Sequence, residues 1–569
     1  MADSLAEALA IYESDGEQPA LALLEQRGYY ITDDRAILLT ISPAQDIALA
    51  DVRQQVETAG ASIYSTTDSQ IEIFAGLDAI QQLGNSTILS AIAQVQVGIS
   101  SSSAIGIDSA TANFSGTVNT IGFDTISAND WHNAGVTGSG VRVGVIDVGF
   151  NGTASGDEYA CLVERVGQER GSDIGLNIVE VLCDVAPDSD VYTFEAITYN
   201  ALYDALVEAR NLNVDVLVIG ADYGVTASPG DGFGRPLDTT NNPYDLLADM
   251  RQEGRAIFVA AGNNGTSDFT AVDFDPTTRV SRQFALSWLN PDVGGSVRED
   301  TVRVRVRASA GDTIQIAWND WAGLGTSIYN EDTNTFTLED FEITLRDLDG
   351  NVVEPLDNNP YIPARETVFD TPTVAFTIPE DTGAGSSTPD ASCEIQLDNP
   401  SDTVGPSSCL LDVFITRKRG DADVVMQMQV IPRQLELRFV LDPISEEQGI
   451  NVTFEDIEFT DSANTLASLL PNTGTIGRPA DSRDVIAVGS ACPTEGTSIP
   501  TLPDTSEGPI YGLNGTAPTT SETELIKPAF VGPGQVSTSL ETLSDPNACD
   551  GTIAGSSAGG GFYGTAASA

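Results

Sequence analysis

Gly135-Val136-Thr137-Gly138-Ser139-Gly140-Val141-Arg142-Val143-Gly144-Val145-Ile146-Asp147 joins a glycine-rich turn, an apolar run and a terminal carboxylate. Val141–Ile146 reads as a strand buried on both faces, with Asp147 at its C-terminal end. In an open α/β sheet that edge is where ligands and catalytic groups gather. The pattern recurs downstream in the apolar runs Val191–Phe194, Val214–Ile219, Ala256–Ala260 and, much later, Asp484–Val488. Between them Leu202, Leu206 and Ala209, then Leu246, Leu247 and Met250, fall at one-face helical spacing. Apolar strands alternating with such helices specify a parallel sheet covered on both faces.

That alternation stops near residue 290 and resumes near 460. The interval carries short strands of alternating polarity, among them Val302–Arg307, Phe341–Leu345, Val374–Ile378 and Val424–Val430, with turn signals such as Asp349-Gly350. An inserted all-β sandwich is the expectation. Upstream, residues 36–98 read as strand, helix, strand, strand, helix, strand, with an amphipathic Asp46–Ala59 carrying Ile47, Val52 and Val56. This order suggests a small ferredoxin-like α+β unit, followed by a serine run, Ser100–Ser103, and a linker to about 125. The expected organisation is an N-terminal unit and linker over 1–125, an α/β domain in two parts over 126–290 and 460–569, and the sandwich over 291–459.

Charge narrows the partners. The chain has 83 acidic and 26 basic residues and a formal net charge of −57. Such a field repels phosphate backbones and anionic headgroups, so nucleic acid is not an expected partner, and protein or peptide is. No uncharged apolar stretch is long enough for an ordinary membrane span. Lys418 and Lys527 are the only lysines, a composition that fits a saline or calcium-rich exterior, and an acidic surface kept soluble by self-repulsion looks the same. Six cysteines fall as neighbouring pairs, 161/183, 393/409 and 492/549, none at a C-x-x-C spacing. Disulfides in an oxidising compartment follow, hence a secreted or cell-surface protein, with any leader removed or omitted. Acids such as Asp273, Asp275, Asp320 and Asp340 are donors of the type calcium takes, but no run matches an EF-hand loop. Structural calcium is the one ion the composition suits, and no cofactor is required.

Two further blocks give the edge its chemistry: Ala260-Ala261-Gly262-Asn263-Asn264-Gly265 after a buried strand, and Gly564-Thr565-Ala566-Ala567-Ser568-Ala569 at the end. With Asp147, Asp184-Val185-Ala186-Pro187 and Lys527-Pro528-Ala529-Phe530-Val531-Gly532-Pro533-Gly534, they resemble the subtilisin-like serine peptidases in order and register over about 126–290 and 460–569. The resemblance implies a subtilisin-like parallel sheet. Asp147 would be the triad aspartate that orients an imidazole, and Asn263 the oxyanion-hole asparagine. The position of the histidine, reckoned back from the alanine-proline step, is Ile174, which accepts no proton. The position of the serine is Ala566, which offers no hydroxyl.

No other residue takes over these roles. His132, the single histidine, lies in the lead-in before the glycine turn. Ser568 stands about 200° round a helix from Ala566. An acidic variant of the family uses glutamate as base, but Glu180 is roughly 120° off the face of Ile174, and Ile174, Ile178, Val181 and Leu182 form an apolar stripe that reads as simple packing. The resemblance also makes the N-terminal unit similar to a prodomain, a folding chaperone and inhibitor. It expects a long core helix after the serine position, which a continuation or a partner chain would supply. The leading expectation is a secreted pseudopeptidase used for binding or assembly. The alternatives are a serine endopeptidase in an inactive form and a structural extracellular or filament subunit.

Overall fold

The computed structural model describes most of residues 3–105 and 126–264, strands between 282 and 470, residues 475–491, Thr505, Ser506, Gly508, 527–536 and 561–564. Two helices, α1 (Asp3–Asp15) and α2 (Glu17–Gln26), precede the first sheet. Then come β1 (Ile37–Pro43), α3 (Leu49–Thr58), β2 (Ser62–Thr66), β3 (Ile71–Ala75), α4 (Leu77–Gly84) and β4 (Leu89–Gln94), giving an antiparallel sheet in the order β2-β3-β1-β4. Leu39, Ile41, Ile71 and Ile73 from the sheet, Val52 and Val56 from α3, and Leu5 and Leu24 from the leading helices form one buried core. The next segment makes two short strands, β5 (Ile99–Ser100) and β6 (Ser102–Ile105).

Seven parallel strands build the central sheet: β7 (Arg142–Asp147), β8 (Leu162–Val166), β9 (Asp190–Glu195), β10 (Val216–Ile219), β12 (Ala256–Ala260), β25 (Ile486–Ala491) and β26 (Phe530–Pro533). Their order is β26-β25-β12-β10-β7-β9-β8. A two-residue strand, β11 (Ala221–Asp222), follows β10. Alternate side chains leave the sheet on opposite faces. Ile146, Leu217, Ile219, Ile257 and Val259 pack against α7 (Tyr199–Asn211) and α8 (Pro243–Gln252), whereas Val143, Val145, Val191 and Val218 pack against α6 (Ile174–Val185). Because β9 and β10 flank β7 on either side, the chain reverses its winding there, and Asp147 lies at the switch point. A short helix, α5 (Ala128–Asn133), leads into the glycine turn.

Between β12 and β25 the strands form two antiparallel five-stranded sheets. One comprises β13 (Arg282–Trp288), β15 (Thr313–Trp318), β20 (Thr373–Thr377), β22 (Val424–Ile431) and β24 (Ala467–Leu470). The other comprises β14 (Asp300–Ser309), β18 (Asp340–Asp347), β19 (Val352–Val353), β21 (Ser408–Arg419) and β23 (Thr453–Phe459). A hairpin of β16 (Tyr329–Asn330) and β17 (Thr335–Phe336) stands apart, and β27 (Gln535–Val536) and β28 (Gly561–Gly564) join β6 in a three-stranded sheet. The alternation in β22 has a different meaning from a half-solvated strand. Met426 and Met428 are buried on one face, and Gln427 and Gln429 are buried on the other.

Cys161 and Cys183 form a disulfide with Cα atoms 5.3 Å apart, tying the start of β8 to α6. The other four cysteine side chains lie outside the described residues, as do the side chains of Asp273, Asp275, Asp320 and Asp340. Among the described residues no helix is long and apolar enough to cross a membrane, and no cluster of three or more metal-ligating side chains occurs.

Candidate functional site at the carboxyl edge of the sheet

Asp147 is fully buried at the end of β7, and its Oδ1 accepts the Val148 N–H at 2.7 Å. Two residues on, the Gly149 carbonyl accepts the Gly175 N–H at 3.1 Å. A Cβ at Gly175 would lie 2.5 Å from both that carbonyl and the Phe150 ring, so only glycine lets α6 begin this close to the strand end. Ile174, the first residue of α6, is thereby brought beside the segment that follows Asp147. An aliphatic side chain opens the helix there.

The inner face of α6 differs from the stripe expected from periodicity. Of the expected stripe Ile178 is buried while Ile174, Val181 and Leu182 are only partly so, and Leu176, Asn177, Val179, Glu180 and Cys183 are buried beside it. Asn177, Glu180 and Asp184 share one side of the helix by spacing, yet the structure buries Asn177 and Glu180, and Cys183 of the same helix is bonded to Cys161. Glu180 is wholly buried, accepting a hydrogen bond of 3.4 Å from the Tyr159 hydroxyl. His132 belongs to the other end of α6, where its Nε2 lies 2.9 Å from the Val185 carbonyl oxygen. Eleven residues of helix, about 16 Å, separate that end from Ile174.

Asn263 and Asn264 follow β12, both buried. Ser506 holds their turn: its Oγ accepts the Asn264 N–H at 2.9 Å and its own N–H donates to the Gly262 carbonyl at 2.9 Å. Gly262 has a φ of +103°, and a Cβ there would lie 2.8 Å from the Ser506 hydroxyl. Asn264 Nδ2 donates to Asp222 Oδ2 at 2.8 Å. Asp222, a second buried carboxylate at this edge, also takes the Gly224 and Arg478 N–H groups on Oδ1, each at 2.9 Å. Neither Asp222 nor Asn264 was singled out by sequence reasoning. The available signal was the acid in Ile219-Gly220-Ala221-Asp222-Tyr223-Gly224, which repeats the apolar-strand, acid, glycine pattern of Asp147.

Tyr223 stands within the field of both carboxylates. Burial first, and then the charges of Asp147 and Asp222, hold its phenol pKa well above the ordinary value. It stays protonated and donates to the Ala196 carbonyl at 2.8 Å.

The five-stranded sheet containing β15 and β22 reaches into this edge. Gln429 accepts the Val225 N–H on Oε1 at 3.0 Å and donates from Nε2 to Asn264 Oδ1 at 3.1 Å. Gly224, at φ +75°, has Gln315 Oε1 only 2.5 Å from where a Cβ would stand. Arg478, 1% exposed, donates to the Ile476 carbonyl at 2.7 Å and to Gln427 Oε1, with Asp481 Oδ2 3.9 Å from its Nε. Its Nε makes no hydrogen bond among the described residues, so the buried charge is held by the two Nη contacts and the nearby Asp481 carboxylate.

The edge is crossed by the chain's own segment. Gly98 donates its N–H to the Ile197 carbonyl at 2.7 Å, and β5 pairs antiparallel with β11, Ile99 opposite Asp222 and Ser100 opposite Ala221. Further along, β6 pairs antiparallel with β28, Ser102 opposite Gly564. Ala566 itself lies outside the described residues, two positions beyond Gly564. The two pairings are three residues apart on the segment, a reach of about 10 Å.

The N-terminal sheet fixes this crossing. Glu72, on β3, accepts from the Thr198 hydroxyl at 2.6 Å and from Asn200 Nδ2 at 2.7 Å. Thr198 in turn caps α7 by accepting the Ala201 N–H at 3.1 Å, so a carboxylate sits at the positive end of that helix. Tyr64 accepts the Ile197 N–H at 2.9 Å and Ser65 donates to Asp204 at 2.6 Å.

No protein-family model and no curated protein sequence matches the chain. Among solved structures, a serine-to-alanine mutant of the epidermin leader peptide processing serine protease of Staphylococcus aureus (EpiP) is a similar chain at 10% identity and a TM-score of 0.24, covering 40% of this chain. The match spans 61% of that protease's own chain.

Proposed function

We propose that this protein is an extracellular pseudopeptidase of subtilisin-like architecture that holds an extended peptide strand at the carboxyl edge of its sheet without cutting it. One observation carries the reading. A continuous covalent segment, residues 98–105, pairs on one side with β11, beside Asp222, and on the other with β28, just before Ala566. This is peptide recognition by strand addition, in which backbone hydrogen bonds hold the ligand.

The residue types at the edge suit holding rather than hydrolysis. Asp147 and Asn263 are groups that would orient a base and polarise a carbonyl, but neither is a nucleophile. Ile174 supplies no proton acceptor, and Ala566 supplies no hydroxyl to form an acyl-enzyme. On this reading the two five-stranded sheets are an inserted sandwich that buttresses the cleft through Gln315, Gln427 and Gln429, and the prodomain-like unit is retained as the bearer of the bound strand. The Cys161–Cys183 disulfide supports an oxidising, external location.

The test is chemical. The purified chain is incubated with a serine-directed fluorophosphonate probe and, separately, followed by intact mass spectrometry. No labelling and no cleavage between residues 97 and 105 are expected, whereas either event at this edge overturns the reading and returns the chain to the serine endopeptidases.

A further inference from the structure

The strand that crosses the edge carries a glycine at its most enclosed described position. Gly98 is buried, and a Cβ there would lie 2.7 Å from both Cδ1 and Cε1 of Tyr223 and 3.2 Å from Val148 Cγ1. Real side chains essentially never come so close to a neighbour, so an alanine would need the ring to move. The ring is held on three sides. Its hydroxyl donates to the Ala196 carbonyl at 2.8 Å, its face meets Tyr199 edge-on at a centroid distance of 6.1 Å, and it is 3% exposed within the main core. Backbone pairing continues on both sides of Gly98, with its own N–H on Ile197 and Ile99 opposite Asp222, so the strand cannot shift outward without losing these bonds.

We infer that Tyr223 and Val148 close a subsite that accepts glycine alone, making the cleft selective for extended peptides that place glycine there, with the chain's own Gly98 as the built-in example. This inference rests on the peptide-holding reading above and adds the ligand class. Tyr223 is the specificity-determining residue. It acts by filling the space that a side chain would need, and its bond to Ala196 keeps it in that position.

The probe is a fluorescently labelled peptide of residues 94–105 and its Gly98→Ala counterpart, titrated by anisotropy into full-length chain whose own strand has been released. Gly98→Val releases it by the same clash. Ile99→Pro releases it by other means, since proline lacks the N–H that a paired strand uses, and serves if the first variant folds poorly. Hydrogen exchange over residues 98–105 verifies release. The unaltered chain should bind neither peptide. The released chain should bind the glycine peptide, and the alanine peptide at least about tenfold more weakly, with that ratio falling to within about threefold in Tyr223→Ala.

Equal binding of both peptides to the released chain overturns the glycine subsite while leaving peptide holding intact. Unchanged exchange protection in Gly98→Val also overturns it, because the side chain would then be tolerated. Release of the strand with no binding of either peptide overturns the peptide-holding reading itself.

Discussion

Replacing Gln429 by leucine removes the bridge between the β15–β22 sheet and the carboxyl edge of the parallel sheet. Gln429 is fully buried and makes two neutral hydrogen bonds there, one from the Val225 N–H at 3.0 Å and one to Asn264 Oδ1 at 3.1 Å. Leucine has similar bulk but satisfies neither, and a buried polar group deprived of its partner costs about 1–3 kcal/mol. Summed over both groups the substitution should destabilise the edge by roughly 2–6 kcal/mol. A chain of several units does not unfold in one step, so a global melting temperature is the wrong readout. Native-state hydrogen exchange at the Val225 amide reports the local term, and its protection should fall by about 5–150-fold, the equivalent of about 1–3 kcal/mol. The Val259 amide, within β12, should change little. Asn264→Leu introduced on both backgrounds should show a coupling of about 0.5–3 kcal/mol with Gln429. Val225 protection unchanged within about twofold in a folded variant would refute the bridge and make the Gln face of β22 mere contact surface.

Ala566→Ser alone should give no measurable peptide hydrolysis, because Ile174 leaves the hydroxyl without a base, while Ala566→Ser with Ile174→His should give a little, both read with a fluorogenic peptide. Lys527 is buried, donates to the Ser482 and Val485 carbonyls at 2.6 and 2.8 Å, and has its pKa lowered by burial to about 8. Since the unfolded chain holds that proton up to about 10.5, folding stability should rise between pH 8 and 10.5 and carry a cost on the order of 3 kcal/mol below that window; Lys527→Met should flatten this rise in denaturant titrations taken across it. Asp204, whose carboxyl pKa is raised chiefly by desolvation and lowered in part by the Ser65 hydroxyl, contributes stability that is present below its unfolded pKa and lost as pH rises through the folded one. Docking of that unit should therefore tighten on acidification, and Asp204→Asn should reduce the effect, as seen in exchange protection of the Tyr64 and Ser65 amides. With a net charge of −57, the chain should gain thermal stability as salt rises from ~0.01 to ~1 M and the Debye length falls from about 30 to 3 Å; a falling melting temperature would contradict self-repulsion as the governing field.

Much of the α/β part was legible because its signals are local. Val141–Ile146, Val191–Phe194, Val214–Ile219 and Ala256–Ala260 are apolar runs of strand length, and each corresponds closely to a strand of the central sheet. Asp147 announced itself as the carboxylate ending one of them. Asp222 carried the same signal in weaker form, since β11 contains only two residues. The rotation of α6 was not legible. Its spacing puts Asn177, Glu180 and Asp184 on one side, which would ordinarily face solvent, whereas the structure buries Asn177 and Glu180. Nor were helices α1 and α2 anticipated. Their apolar residues, Leu5, Ala8, Leu21 and Leu24, find partners only in the sheet that follows.

By itself, then, the sequence determined where strands and helices form, which acid ends β7, and which residue types stand at 174 and 566, because hydrophobic period and side-chain chemistry are properties of neighbouring residues. Only the tertiary structure decided what meets at the edge: Gln429 with Asn264 across 165 residues, Glu72 with Thr198 across 126, and Gly98 under the ring of Tyr223. Those contacts depend on chain topology and on the filling of a common interior, where each side chain takes the space and the hydrogen-bond partners that distant segments leave to it.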